Sequence, residues 1–322
     1  MSADGRFIVF SSSEALLQSD ENGLRDIYLY DATSQQLTQV THGNANSDYA
    51  VISADGSTVV ITSSATDLDP LGRDNDSRRD VYSYDVASGQ LELLTVAASG
   101  SQSADADAHA PVISADGSVI AFWSYATNLD PLGRTSGTSN VYAYNLNTHT
   151  LQLVSVSADG LDAGNSSSNG PVISGNGRVV AFTSYASNLH SLDSGNTRTD
   201  VYAYDLQDST MTLVSVAADG LQSGDGYSSD PAINWDGSRQ IIATVEIHIA
   251  YTRDRSTELA GCVVPYESHI GVSRYQIHTP RGHRKIVDVP AFKLSVISRS
   301  LPTVDRGMIG DSTSPAVRAP MS

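Results

Sequence analysis

The chain holds little of what chemistry is usually built from. Cys262 is its only cysteine, so no intrachain disulfide can form and no zinc constellation of ordinary spacing exists. A buried, inert thiol is the expected role. Lysine occurs only at Lys285 and Lys293, and the formal net charge is −17. Without a basic stripe to neutralise phosphates, nucleic acid is excluded as a partner. No apolar run approaches the ~20 residues of a membrane span. The opening Met1-Ser2-Ala3-Asp4-Gly5 has neither the basic nor the apolar region of a signal peptide. It reads as the inside of a repeat, and the expectation is that the true start, with any export signal, lies upstream.

Catalytic signatures are also missing. There is no Gly-x-Ser-x-Gly elbow, and the Ser-rich run Gly164–Gly170 does not match one. His-Glu-x-x-His and phosphate-loop patterns do not occur. Aromatics make up 7% of the chain and are mostly tyrosine, whereas Gly, Ser, Asp and Asn are plentiful. That balance belongs to many short strands joined by tight turns.

What is present is a repeat of about 60 residues, a period typical of propellers, solenoids and arrays. Each copy opens on a small-residue-Asp-Gly turn: Ala3-Asp4-Gly5, Ala54-Asp55-Gly56, Ala115-Asp116-Gly117 and Gly175-Asn176-Gly177. A fifth opener, Trp235-Asp236-Gly237, has no repeat behind it. The third copy shows four strand-like runs: Pro111–Ser114, Val119–Trp123, Asn140–Tyr144 and Leu151–Val156. Asp-Gly at the first hairpin predicts a two-residue turn with positive φ at both positions. Leu17, Leu68, Leu129 and Leu189 fall twelve residues beyond the opening glycines and read as loop anchors in the core.

Middle strands such as Val179-Val180-Ala181-Phe182 are apolar on both faces and must be covered twice. Radially stacked blades do this, so the fold is read as an all-β propeller of four-stranded antiparallel blades, with about four blades visible. A β-solenoid fits less well, because its rungs are shorter and lack hairpin signals. The paired tyrosines, Tyr28/Tyr30 through Tyr202/Tyr204, share one strand face and are expected to pack between blades with hydroxyls at the edge.

The pattern x-Pro-x-Ile-Ser-x-Asp-Gly-x-x-Val-Ala-Phe followed by Asp-Val-Tyr-x-Tyr-Asp resembles the TolB-type propeller repeat, and is similar to WD-type blades without their Gly-His and Trp-Asp marks. The resemblance covers residues 1–237. It implies an extracytoplasmic bacterial setting, periplasmic or secreted, and a binding role. Four copies and a stub are few for this type, which more often has six or seven blades. The strand at Pro231–Asn234 could complete the amino-terminal blade and close a four-bladed ring; a fragment of a larger ring explains the same pattern.

After Gly237 the pattern is lost. Residues 1–237 carry 29 Asp/Glu against 8 Arg, whereas residues 238–322 carry 7 Asp/Glu against 11 Lys/Arg. One strand is expected around Val245–Tyr251, and the rest of 238–322 is read as a non-repeat tail, poorly ordered, arising from out-of-frame translation of further blades or forming a separate segment. Its basic cluster Arg281, His283, Arg284 and Lys285 reads as a solvated patch.

Two groups of residues are candidates for function. Asp20, Asn22 and Asp26 have counterparts in Asp74, Asp76 and Asp80. Oxygen side chains at alternate positions around a turn suit a hard cation such as Ca²⁺, although the distal bidentate Glu of an EF-hand is absent. The competing reading is Asx-turn chemistry that shapes the loop. The third copy, Arg134–Asn140, carries no carboxylate, and the fourth offers Asp193, Asn196 and Asp200 at altered spacing. The second group lies where first strands begin: Asp48, His109, Asn169, Ser229 and Asp230. In a propeller these would ring one mouth of the channel, a common ligand site; ordinary loop polarity is the alternative.

The sequence thus reads as a binding or scaffold module that engages a protein or small ligand at a propeller face, without catalysis of its own. The rivals are a channel-mouth carbohydrate-active enzyme, lyase or hydrolase, and a calcium-stabilised surface or adhesion protein.

Overall fold

The computed structural model describes residues 1–238 except 136, 194 and 218, together with the backbone of four later strands. Two compact units divide the chain, Met1–Thr252 and Arg253–Ser322. Every element described is a strand.

In the first unit, β1 (Phe7–Ser12), β2 (Asp26–Asp31) and β3 (Gln36–Gln39) form a three-stranded sheet. Three complete four-stranded blades follow. The second comprises β4 (Ser47–Ile52), β5 (Thr58–Ser63), β6 (Asp80–Asp85) and β7 (Gln90–Leu93); the third comprises β8 (Ala108–Ile113), β9 (Val119–Ser124), β10 (Asn140–Asn145) and β11 (Thr150–Leu153). The fourth comprises β12 (Ser168–Ile173), β13 (Val179–Ser184), β14 (Asp200–Asp205) and β15 (Thr210–Leu213). All pairings are antiparallel between consecutive strands. A fifth blade begins with β16 (Ser228–Ile233) paired to β17 (Gln240–Val245).

Successive sheets pack face to face, β1 on β4, β5 on β8, β9 on β12 and β13 on β16. Both faces of the middle strands are therefore covered, and β5 and β13 are buried at all six positions. Phe122 and Phe182 are wholly buried between blades and stack on Tyr142 and Tyr202 at ring centroid distances of 5.7 and 5.8 Å. Each such side chain contributes roughly 1.5–3 kcal/mol through area removed from water. Leu129 and Leu189 are buried as the loop anchors expected, while Leu17 and Leu68 are half-buried.

The Asp-Gly openers take a different form from the two-residue turn expected. Only the glycine has positive φ, 75° at Gly56 and 72° at Gly117. The Gly56 N–H donates to Ser53 O, and Ser53 N donates to Thr58 O, which makes a longer loop closed by a left-handed glycine. The Asp55 carboxylate fixes it by accepting from the Ser53 hydroxyl and the Ser57 N–H. These turns also join the blades. Ala3 N donates to Ala54 O, Asp55 N to Ala115 O, Ala115 N to Gly175 O and Asn176 N to Trp235 O. A Cβ on Gly56 would stand 2.7 Å from the Phe7 ring of the preceding blade, so glycine is needed for proximity as well as for φ.

Of the strand read at Pro231–Asn234, residues 231–233 belong to β16, whose pairing is with β17, and among the described residues no strand pairs with the free edge of β1 to close a ring by strand exchange. The second unit contains an antiparallel sheet of β18 (Val263–His269), β19 (Val272–His278) and β20 (Arg284–Pro290), which the sequence pattern did not announce. Of the strand expected around Val245–Tyr251, only Val245 falls within β17. Residues 246–251, Cys262, Arg281 and His283 lie outside the described residues, and so do the side chains of Arg284 and Lys285.

Candidate functional site

The two candidate regions are built by different parts of the blade. The loop from the second to the third strand carries the carboxylates, and its anchor is a tyrosine. Tyr28, Tyr82, Tyr142 and Tyr202 are wholly buried. Their hydroxyls end on oxygen atoms of the neighbouring loops rather than at the sheet edge. Tyr28 donates to Asp20, Tyr82 to Asp74 Oδ2 and Tyr202 to Asp193 Oδ2, whereas Tyr142 donates to Ala126 O. Burial, seconded by the Asp20 hydrogen bond, pushes the Tyr28 hydroxyl up to about 12, and the same causes raise Tyr82 and Tyr202. The outer tyrosines do bridge blades: Tyr144 donates to Glu92 Oε1 at 2.9 Å, and Gln152 donates to Tyr204.

The first residue of each third strand supplies a second buried polar group: Asp26, Asp80, Asn140 and Asp200. One of its oxygens accepts a hydroxyl hydrogen bond from the fourth-strand side, from Thr41, Thr95, Ser155 and Ser215 respectively. The other oxygen is treated differently in each blade. Asp26 Oδ2 accepts from Asn22 Nδ2 at 3.0 Å and from Gln39 Nε2 at 3.2 Å. Asp80 Oδ2 is buried and accepts nothing. Asn140 presents its amide nitrogen there and donates to Thr138 O at 2.9 Å.

In the second blade, Asp74, Asp76 and Asp80 each place an oxygen within 4.8 Å of the others. Asp74 and Asp80 are 2% and 0% exposed. Burial pushes Asp80 up to about 8, opposed by the Thr95 hydrogen bond and reinforced by Asp74 and Asp76. Burial also raises Asp74, opposed by the Tyr82 hydroxyl. In the first blade Asn22 turns its amide nitrogen toward Asp26 and Gly43 O, so Asp20, Asn22 and Asp26 do not form an oxygen-only set.

The second region lies at the starts of the first strands. Asp48, His109, Asn169 and Ser229 occupy the same position, second in β4, β8, β12 and β16. The residue after it is left-handed in three blades, at Ala110 (φ 45°), Gly170 (φ 59°) and Asp230 (φ 51°). The register shift at this point in β4, β8 and β12 re-aims the side chains beside it, and positive φ at Ala110 and Asp230 stores strain.

Asp48 accepts from Arg25 at 2.8 Å and lies 3.6 Å from Arg79. His109 stacks on Trp123 at 4.3 Å, and Tyr125 meets both rings edge-on. Burial and then Arg79 lower the His109 imidazole, with Asp107 opposing. The Ser229 hydroxyl donates to Asp230. Trp123 and Tyr125 were not singled out from sequence. Trp123 breaks a strand pattern that carries Thr62 and Thr183 in the neighbouring copies, and this was the available signal.

The blades, their order and their stacking define a β-propeller segment. No protein-family model matches the sequence, and neither does any curated protein. Among solved structures, the chain is similar to Porphyromonas gingivalis dipeptidyl peptidase 4, with a TM-score of 0.52, 12% identity and coverage of 91% of this chain and 44% of that one. TolB from Acinetobacter baumannii matches over 90% of this chain and 65% of its own length, at 14% identity and a TM-score of 0.44. An oligogalacturonate lyase in complex with manganese matches at 13% identity, a TM-score of 0.33 and coverage of 90% and 87%. The chain therefore spans less than two thirds of that TolB and under half of that peptidase.

Proposed function

We propose that this chain is a non-catalytic propeller module that binds a protein or small ligand at the rim formed by the starts of the inner strands. The observation that carries the reading is the repeated start of the first strand. It puts Asp48, His109, Asn169 and Ser229 at the second position of β4, β8, β12 and β16, with a register shift there in β4, β8 and β12, while letting each blade present a different group. Constant backbone with variable side chains suits recognition.

Two of the rim's ionisable groups are engaged within the protein. Asp48 is held by Arg25 and neighboured by Arg79, and His109 is stacked on Trp123. Asp48 and His109 are thus occupied by the protein itself, whereas a channel-mouth hydrolase or lyase needs an acid and a base free to face a common point. The resemblance of the repeats to TolB-type blades supports an extracytoplasmic bacterial setting.

The test is a photo-crosslinking residue at Tyr125 on the rim and, as control, at Gln36 on the outer strand β3, both in the full chain. A defined adduct from the rim position alone, followed by direct binding of the purified partner that Trp123→Ala weakens tenfold or more, is expected. Turnover of oligogalacturonate or of a peptide substrate that His109→Ala abolishes would overturn the reading in favour of an enzyme.

A further inference from the structure

We infer that the second blade carries a site for a hard divalent cation, Ca²⁺ by its donor set, held by Asp74, Asp76 and Asp80. The inference goes beyond a binding role at the rim and rests on a comparison internal to the chain. In the first blade, the Asp26 oxygen that Thr41 does not engage is satisfied by two donors, Asn22 Nδ2 and Gln39 Nε2. Both donors are replaced in the second blade. Asp76 stands where Asn22 does, and Leu93 occupies the register position of Gln39, opposite the buried tyrosine. A carboxylate and a leucine donate no hydrogen bond. The corresponding oxygen, Asp80 Oδ2, is fully buried and has no partner.

A buried carboxylate oxygen without a donor is costly, and native structures rarely leave one. Asp80 lies in a cluster with two further carboxylates, one oxygen of each being within 4.8 Å of the others. Asp74 contributes a second buried oxygen, Oδ1, that accepts no hydrogen bond. Among the described residues, the cation paired with this cluster is Arg78, which sits 3.5 Å from Asp76 and leaves Asp74 and Asp80 without a positive partner. A cation in the space that the Asn22 amide fills in the first blade would satisfy all three carboxylates. Oxygen-only donors with no imidazole or thiolate select a hard ion. Backbone carbonyls and water would complete its shell.

The other copies explain why one blade alone would bind. The third has Thr135 after Arg134, where the second has Asp74 after Arg73, and Asn140 satisfies itself through Thr138 O. In the fourth, Asn196 donates to Gly224 O, and Asp193 accepts from Gly195 N as well as from Tyr202.

The test uses the full chain stripped with chelator. Titration with CaCl₂ is expected to show one site per chain and to raise the melting temperature. Terbium is expected to luminesce when tyrosine is excited, through the adjacent Tyr82, with calcium displacing it. Asp76→Asn installs the first blade's residue and Asp80→Asn the third blade's, so each has a precedent within this fold. Either variant should lose the calcium-dependent rise and lower the terbium signal at least tenfold. Absence of heat, melting shift and luminescence in the unaltered chain at about 10 mM metal, beyond the weakest extracellular sites, would overturn the inference. So would an undiminished response in Asp76→Asn, and the terbium measurement decides even if a variant fails to fold.

Discussion

The second and third blades share strands, register and stacking, yet they manage the same buried polar position in opposite ways. The second places Asp80 there, with Asp74 under Tyr82 and one oxygen without a donor. The third places Asn140, whose amide satisfies both of its ends, and turns Tyr142 to a backbone carbonyl. The blade architecture thus requires a polar group at the head of the third strand but not a charge. Where the charge is kept, it brings a dependence on protons and cations that the neutral blade escapes.

Making the third blade resemble the second is the severest test. Asn140→Asp removes the donor to Thr138 O and buries a carboxylate at a site that is 0% exposed. A loss of about 3 kcal/mol is expected near neutral pH, read as a shift of the urea midpoint with unchanged slope. A neutral outcome would show that the third blade can accommodate charge and would break the comparison.

Next comes Asp200, the charged counterpart in the fourth blade, which burial and the nearby Asp193 push up to about 6 from 3.8. Below about pH 4 both native and unfolded chains hold this proton. Between about pH 4 and about pH 6 the unfolded chain releases it while the native chain retains it, so stability falls as pH rises; above that the loss is complete. Relative to Asp200→Asn, the unaltered chain is expected to lose about 2 kcal/mol across that window. Paired denaturation curves at the two ends check it, and a difference independent of pH would remove Asp200 from the account.

The tyrosines give a smaller contrast. Tyr82→Phe strips Asp74 of a hydroxyl donor and should cost about 1.5 kcal/mol, whereas Tyr142→Phe frees a carbonyl and no carboxylate and should cost about 1 kcal/mol. Equal costs in thermal unfolding of both variants would argue that Asp74 is protonated or satisfied by another group.

Much of the blade was legible in the chain. Alternating apolar residues and the Asp-Gly landmarks located the strands, and β9 and β10 begin at the residues read from sequence, Val119 and Asn140. The turn type was not legible, because Asp-Gly serves both a tight hairpin and a longer loop ended by a left-handed glycine. The Asp55 contacts with Ser53 and Ser57 decide between them. The carboxylate loops were found by their alternate oxygens, but the difference between Asp26 and Asp80 depends on Gln39 and Leu93, which reach them across strand pairing. The buried tyrosine–aspartate pairs did leave a trace, an Asp eight residues before the tyrosine in the first two copies and nine in the fourth. The rim positions follow from the repeat, whereas the stacking of His109 on Trp123 needs the register of β8 against β9.

The rim extends the comparison of the same two blades, with Asp48 in one and His109 in the other, and Arg79 acting on both. The guanidinium lies 3.6 Å from the Asp48 carboxylate, and its charge, after burial, holds the imidazole below the ordinary value of 6.5. Removing the positive charge with Arg79→Gln should therefore raise the His109 midpoint toward that value. Removing the negative charge with Asp48→Asn leaves Arg79 less neutralised and should lower the midpoint further. Both shifts are small, a few tenths of a pH unit in a half-exposed setting, and imidazole proton resonances followed through a pH titration resolve them. Opposite movements would establish the two blades as one electrostatic surface around Arg79. Movement in the same direction, or none, would separate the His109–Trp123 stack from the Asp48 ion pair and confine any ligand to one blade.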